Sequence, residues 1–371
     1  MFEHGLTLLR VRGIPIRLHI TLILFLPYVA YVASRQYRYL AEVIGVAPAE
    51  LGLPPLFWGV ILAIGLFIAV VVHELAHSLI AIKNGARVRS ITLMMLGGVS
   101  LLEGELPPAK EAWMAFAGPL ASFGIALVSY AIYRLVPLPI EIGIALFAFA
   151  VTNAFLAAFN LLPAFPMDGG RVLRGLLAGR LGLEKATVVA ARVGQGMALL
   201  FAAWALYSLN VILLLIAWFV WSGATGEKQR LTVLGALEGL SVTDFMSSRL
   251  GDAFGDESVG VVLRRLTASG LTGARVIDPR SAEESRVVGV VTTEELEAAA
   301  ARGTADARVI ELCTEPPAAV HSGEDASRAL GALSRGEARS VVVLDQEDHV
   351  IGLVTPAEIR RAVALHRGAS V

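Results

Sequence analysis

The chain has 371 residues, of which 56% are hydrophobic and 17% charged, well off the soluble balance of about 25% charged, so it is read as an integral membrane protein. A formal net charge of −1, with no basic stripe carrying interleaved aromatics, excludes a nucleic-acid-binding reading. The single cysteine, Cys313, excludes an intramolecular disulfide framework and a cysteine-based zinc site; it reads as a small core residue.

Apolar windows predict helices near 18–34, 57–82, 112–135, 140–162, 187–207 and 209–222, about six spans. Arg10, Arg12 and Arg17 before Ile20–Val32 could belong to a signal peptide, but no A-x-A-like site follows, and the segment reads as a retained first span. His19, at its start, reads as an interfacial residue. Loop cations then set the orientation: Arg10, Arg12 and Arg17, then Lys83, Arg87, Arg89 and Lys110, then Arg171, Arg174, Arg180, Lys185 and Arg192, and last Lys228 and Arg230 all share one side. Arg35, Arg38 and Arg134 are the smaller opposing set. This places both termini in the cytoplasm of a cell, expected to be prokaryotic, with the chain in its membrane.

The second predicted span contains His73-Glu74-Leu75-Ala76-His77. On a helix the two histidines share a face as a two-point metal clamp, with the carboxylate of Glu74 beside it. A carboxylate at membrane depth costs about 2.5–3.5 kcal/mol on insertion scales unless something compensates it, so a zinc site inside the bilayer is the first hypothesis. Residues 88–102 alternate, are rich in β-branched residues and glycine, and are too short to span; they predict a strand or hairpin beside the site, able to hold an extended peptide at its edge. In the third span, Ala117 to Ser122 sets small residues four apart, which favours close helix packing.

A catalytic zinc usually takes three protein ligands. The best third candidate is Asp168, where Pro163 and Pro166 end the fourth span and Gly169 and Gly170 permit close approach, presenting the carboxylate from a loop. Glu103, Glu105 and Glu111 are possible substitutes that look solvated. Asn153 and Asn160 share a helical face, and the amide of Asn160 is the candidate for holding substrate or donating to a developing oxyanion.

Together these motifs resemble the site-2 protease family of intramembrane zinc metalloproteases: His73-Glu74-x-x-His77, the small residues Gly118 to Ser122, and Asn160-x-x-Pro-x-x-Pro-x-Asp168-Gly-Gly, within residues 1–222. The resemblance implies a three-helix catalytic core and one zinc held by His73, His77 and Asp168. It implies Glu74 as the general base that takes a proton from the attacking water and returns it to the leaving amine, and cleavage of single-span membrane proteins that must unwind locally. No PDZ-like insertion is visible, as in the compact sporulation-protease and archaeal branch.

The composition changes near residues 222–227, giving a transmembrane domain over 1–226, a linker over 227–240 and two soluble α/β copies over 241–300 and 301–371. The copies share an order: Val242-Thr-Asp-Phe-Met to Arg275-Val-Ile-Asp and Val288-Gly-Val-Val-Thr292, against Val309-Ile-Glu-Leu to Val341-Val-Val-Leu-Asp and Ile351-Gly-Leu-Val-Thr355. They resemble a tandem CBS pair, a module that in its family often binds adenine nucleotides such as ATP or AMP and that supports homodimers. Thr292 and Thr355 match the family's ligand motif, while Glu295 and Glu358 stand where it has aspartate. A CBS-regulated transporter or an inactive protease homologue is the alternative reading.

Overall fold

The computed structural model describes residues 5–11, 13–46, 51–95, 97–103, 106–237, 239–278, 287–313, 318–334 and 339–369. Chain contacts divide them into two units, Met1–Leu231 and Thr232–Val371.

The first unit opens with a hairpin, β1 (Gly5–Val11) and β2 (Ile14–His19), that the sequence reading did not anticipate. Helix α1 (Ile20–Val43) follows directly, with the His19 ring accepting from Thr21 N as its N-cap. Helix α2 (Pro55–Lys83) starts on proline, whose missing N–H costs nothing in a first turn, and stops at Asn84 before Gly85, which takes φ +93°. The expected hairpin is present as β3 (Arg87–Met94) and β4 (Gly97–Glu103), and β2 pairs parallel with β3 to give a sheet ordered β1-β2-β3-β4. Ile14, Ile16, Ile91 and Leu93 bury one face of this sheet against Phe67, Val70, Val71 and Leu75 of α2.

Helices α3 (Pro108–Leu135), α4 (Ile140–Asn160), α5 (Asp168–Leu181), α6 (Leu183–Tyr207) and α7 (Val211–Leu237) complete the set. Among the described residues, five helices are long and apolar enough to cross a membrane: α2, α3, α4, α6 and α7. The exposed leucines, isoleucines and phenylalanines along them are what lipid contact requires, since hydrocarbon replaces the usual polar outer face. Each of the six expected spans is a helix, and α1, the remaining one, is less apolar than these five because Pro27, its tyrosines and Arg35 and Arg38 dilute it. Residues 227–237, expected to be linker, instead continue α7.

The second unit holds two similar lobes. The first contains β5 (Leu250–Phe254), α8 (Val259–Ala268), β6 (Gly273–Ile277), β7 (Val287–Thr292) and α9 (Thr293–Ala301); the second contains β8 (Ala319–His321), α10 (Ala326–Ser334), β9 (Val341–Leu344), β10 (Val350–Val354) and α11 (Pro356–Ala369). In each, the first strand runs parallel to the second and the third returns antiparallel. The repeat boundaries in sequence are not the boundaries of the cores. Val242, which opens the first copy, is buried with Val320, Val341 and Val343 of the second, and Val309, which opens the second, is buried with Val259, Val262 and Val276 of the first. Each lobe is therefore completed by the leader of the other copy. Cys313, expected in a core, is half-buried against the first lobe, and burial pushes its thiol up to about 11.

Leu296 is fully buried in the first lobe. Its replacement by alanine is expected to destabilise the second unit by about 2–5 kcal/mol, read as an earlier melting transition of the purified chain.

Candidate metal centre

His73 and His77 lie one turn apart on α2, both buried, with ring centroids 4.8 Å apart and planes at 78°. Asp168 is not in a loop: it is the first residue of α5, where the helix N-terminus favours a carboxylate. Its Oδ2 lies 3.2 Å from Nε2 of each histidine. The structure thus brings together the three predicted ligands from two helices, and α3 supplies their backing. The His73 Nδ1 is 2.9 Å from Ser122 Oγ, and the His77 Nδ1 is 2.8 Å from the Met114 carbonyl.

The Met114 carbonyl only accepts, so the His77 Nδ1 carries a proton, while the Ser122 hydroxyl, which can accept or donate, holds the His73 Nδ1. Both rings then turn Nε2 toward one carboxylate oxygen. Three electron-rich atoms at this spacing repel one another unless protons or a cation sit among them. Two imidazoles and a carboxylate, each ring anchored through its other nitrogen, form a donor set that suits zinc.

The space is kept by a glycine. A Cβ on Gly118 of α3 would lie 2.2 Å from the His77 Nε2 and 2.6 Å from the His73 Nε2. Glu74 is also buried, and its carboxylate lies within 4.8 Å of the ligand atoms of both histidines. Ser100 of β4 donates to the Glu74 Oε2 at 3.3 Å, and Ser78 of α2 lies 3.3 Å from Ser100. On the same strand, a Cβ at Gly98 would meet the Glu74 Cγ at 2.3 Å. The strand therefore passes directly over the carboxylate.

Other candidates fall elsewhere. Asn160 donates its amide to the Leu156 carbonyl at 3.0 Å, and Asn153 donates to Phe149, both along their own helix. Glu111 is not solvated: it pairs with Arg174. Glu103 ends β4 opposite Arg87, and Glu105 lies outside the described residues. In the second unit, Thr292 accepts from Glu295 N while the Glu295 carboxylate accepts from Thr292, and Glu358 accepts from Thr355 in the same manner. All four proposed nucleotide contacts thus serve to cap α9 and α11.

Sequence reasoning treated Gly118 and Ser122 as packing residues and missed Gly98 and Ser100. Their signal was present only as small residues in the elements flanking the motif. Arg174, counted as a loop cation, is buried on α5.

Comparison with known proteins gives the family. The profile of peptidase family M50 matches residues 61–141 and 140–201, and that of the CBS domain matches residues 309–365. A zinc metalloprotease of Methanocaldococcus jannaschii is 35% identical over 245 residues, covering 66% of this chain and 67% of the relative. Rip3 of Mycobacterium tuberculosis, by its name a candidate zinc metalloprotease, is 30% identical over 322 residues, covering 82% of this chain and 80% of its own. Among solved structures, a site-2 protease from Methanocaldococcus jannaschii is 36% identical, with a TM-score of 0.44, over 61% of this chain and 95% of its own. The chain belongs to peptidase family M50, whose members include these zinc metalloproteases, with CBS-domain sequence in its second half.

Proposed function

We propose that this protein is an intramembrane zinc endopeptidase that cleaves single-span membrane proteins, with His73, His77 and Asp168 holding the metal and Glu74 as general base. The observation that carries the reading is the convergence of both Nε2 atoms on one Asp168 oxygen, each ring being anchored through Nδ1. Zinc in that position supplies a Lewis acid that polarises the scissile carbonyl and acidifies the attacking water. Glu74, beside the cluster and hydrogen-bonded by Ser100, takes the proton from that water and delivers it to the leaving amine. Asn160, whose amide keeps one N–H beyond the bond to Leu156, is the donor we assign to the substrate carbonyl.

Strand β4 ends the sheet and passes Glu74 at Gly98 and Ser100. An extended peptide that added to its outer edge would satisfy its own backbone groups in a setting without water. Substrate helices must therefore open locally, and helix-breaking residues near the cut favour cleavage. With α1 counted as the first of six spans, the distribution of loop cations supports a chain in the cell membrane with both termini in the cytoplasm.

A second reading concerns the CBS pair. Since Thr292, Glu295, Thr355 and Glu358 cap their own helices, regulation by adenine nucleotide, and homodimer formation through the pair, are supported by the duplicated CBS arrangement alone. Millimolar ATP or AMP is expected to raise the melting temperature of the second unit in the full-length chain, and no shift overturns the nucleotide reading.

Two variants test the centre. Glu74→Gln is expected to abolish cleavage of a co-expressed single-span substrate while the chain still folds and binds zinc; cleavage at the wild-type rate would refute the assignment. Gly118→Ala is expected to push the imidazoles apart and lose bound zinc, measured as metal per chain after dialysis.

A further inference from the structure

The helix that carries Asp168 is held by contacts of two kinds. The first kind is steric. Built Cβ atoms on Gly169 and Gly170 would lie 2.3 Å from the Leu161 and Leu162 carbonyl oxygens and 2.7 Å from the Ala164 carbonyl carbon, so the start of α5 sits against the preceding turn without slack. Pro166 of that turn fills the place of a side chain at Gly223 of α7, where a Cβ would be 2.4 Å from its ring, and Gly175 lies as closely on the Pro108 carbonyl and Ala112 of α3. Such contacts stop the elements from moving closer. They do not stop them from separating.

The second kind is attractive: Phe165 and Leu173 pack with Ala190, Ala191 and Ala224, Ala164 and Met167 pack with Ala198 and Val220, and one buried polar side chain of α5 reaches two other helices. Arg174, 8% exposed, gives Nη2 to Glu111 at the start of α3 and Nη1 to Glu227 on α7. Its guanidinium carbon also lies 5.3 Å from the centre of the Phe165 ring, which is buried just upstream of Asp168. One guanidinium therefore grips the segment on both sides of Asp168, at 165 and at 174, and ties it to two other helices. A buried ionic cluster adds little net stability, because desolvation offsets most of the attraction, but removing one partner strands the remaining charges. Its contribution is to geometry, and geometry is what a ligand needs when a loss of about 1 Å in placement is enough to loosen a site.

We propose that Arg174 is the positioning residue of the metal centre, locking α5 so that Asp168 meets His73 and His77. Planarity matters here. Arginine presents its two Nη groups to two carboxylates at once while its face covers Phe165; lysine offers a point charge that cannot do all three. The inference rests on the zinc reading and extends it to a residue outside the ligand set.

The test uses the purified full-length chain in detergent, loaded with zinc and titrated with a competing chelator, with thermal melting followed in parallel. Arg174→Lys and Arg174→Met are compared with the wild type and with Leu62→Ala, which opens a cavity in the remote cluster around Tyr37 and Ile144. Both Arg174 variants are expected to bind zinc at least about tenfold more weakly, whereas Leu62→Ala lowers the melting temperature and leaves zinc affinity unchanged. If Arg174→Met does not fold, Arg174→Lys decides. Wild-type zinc affinity in Arg174→Lys overturns the proposal alone, as does weakening in Leu62→Ala equal to that in Arg174→Lys. A wild-type chain that binds no zinc overturns the metal reading and this proposal with it.

Discussion

Two imidazole nitrogens each lie 3.2 Å from one carboxylate oxygen, and each imidazole is anchored through its other nitrogen. Atoms so placed repel one another unless a proton or a cation lies among them, and a low dielectric screens that repulsion least. Two imidazoles and a carboxylate make a metal-binding donor set only if the fold holds them together. Much of the first unit follows from that requirement: an i, i+4 pair on α2, a carboxylate at the N-terminus of α5, and an α3 that comes close enough for Met114 and Ser122 to hold the rings.

Close approach in turn dictates the glycines. Gly118 is required because its Cβ would occupy the space where the Nε2 atoms point, and Gly98 because β4 crosses Glu74 with no room for a side chain. These positions are glycine for lack of volume rather than for backbone freedom; neither has the left-handed φ that would demand it, apart from the neighbouring Gly97 at +125°. The same logic runs through Gly169, Gly170 and Gly223 around the turn before α5. Small residues let helices approach in a membrane, where no hydrophobic force drives them together, and here the approach serves the chemistry.

What could be read in the sequence was local. The HELAH spacing and the proline-ended turn before Asp168 each lie within a few turns of chain, and the strand and helix order of the duplicated copies recurs in the two lobes, although their cores exchange leaders. What escaped was nonlocal. The parallel pairing of β2 with β3 joins residues far apart in sequence, and in the stretch before α1 the apolar alternation of Leu9, Val11, Ile14, Ile16 and Leu18 about Gly13 is interleaved with arginines that read as a membrane-flanking basic segment. Arg174 looked like one more cation beside a membrane, because its partners Glu111 and Glu227 are distant in the chain. One further role was legible in the sequence. Thr292-Thr-Glu-Glu295 and Thr355-Pro-Ala-Glu358 both fit the capping-box pattern before a helix, a simpler role for those residues than ligand contact.

The central claim is that Asp168 joins His73 and His77 as a metal ligand. Zinc K-edge X-ray absorption on the purified chain tests it directly, by comparing wild type with Asp168→Ala. The account predicts a shell of nitrogen and oxygen atoms at about 2.0–2.2 Å with the outer-shell scattering of two imidazoles, and loss of an oxygen neighbour with much weaker zinc retention in the variant. A zinc shell without imidazole scattering, or one unchanged in Asp168→Ala, would contradict it.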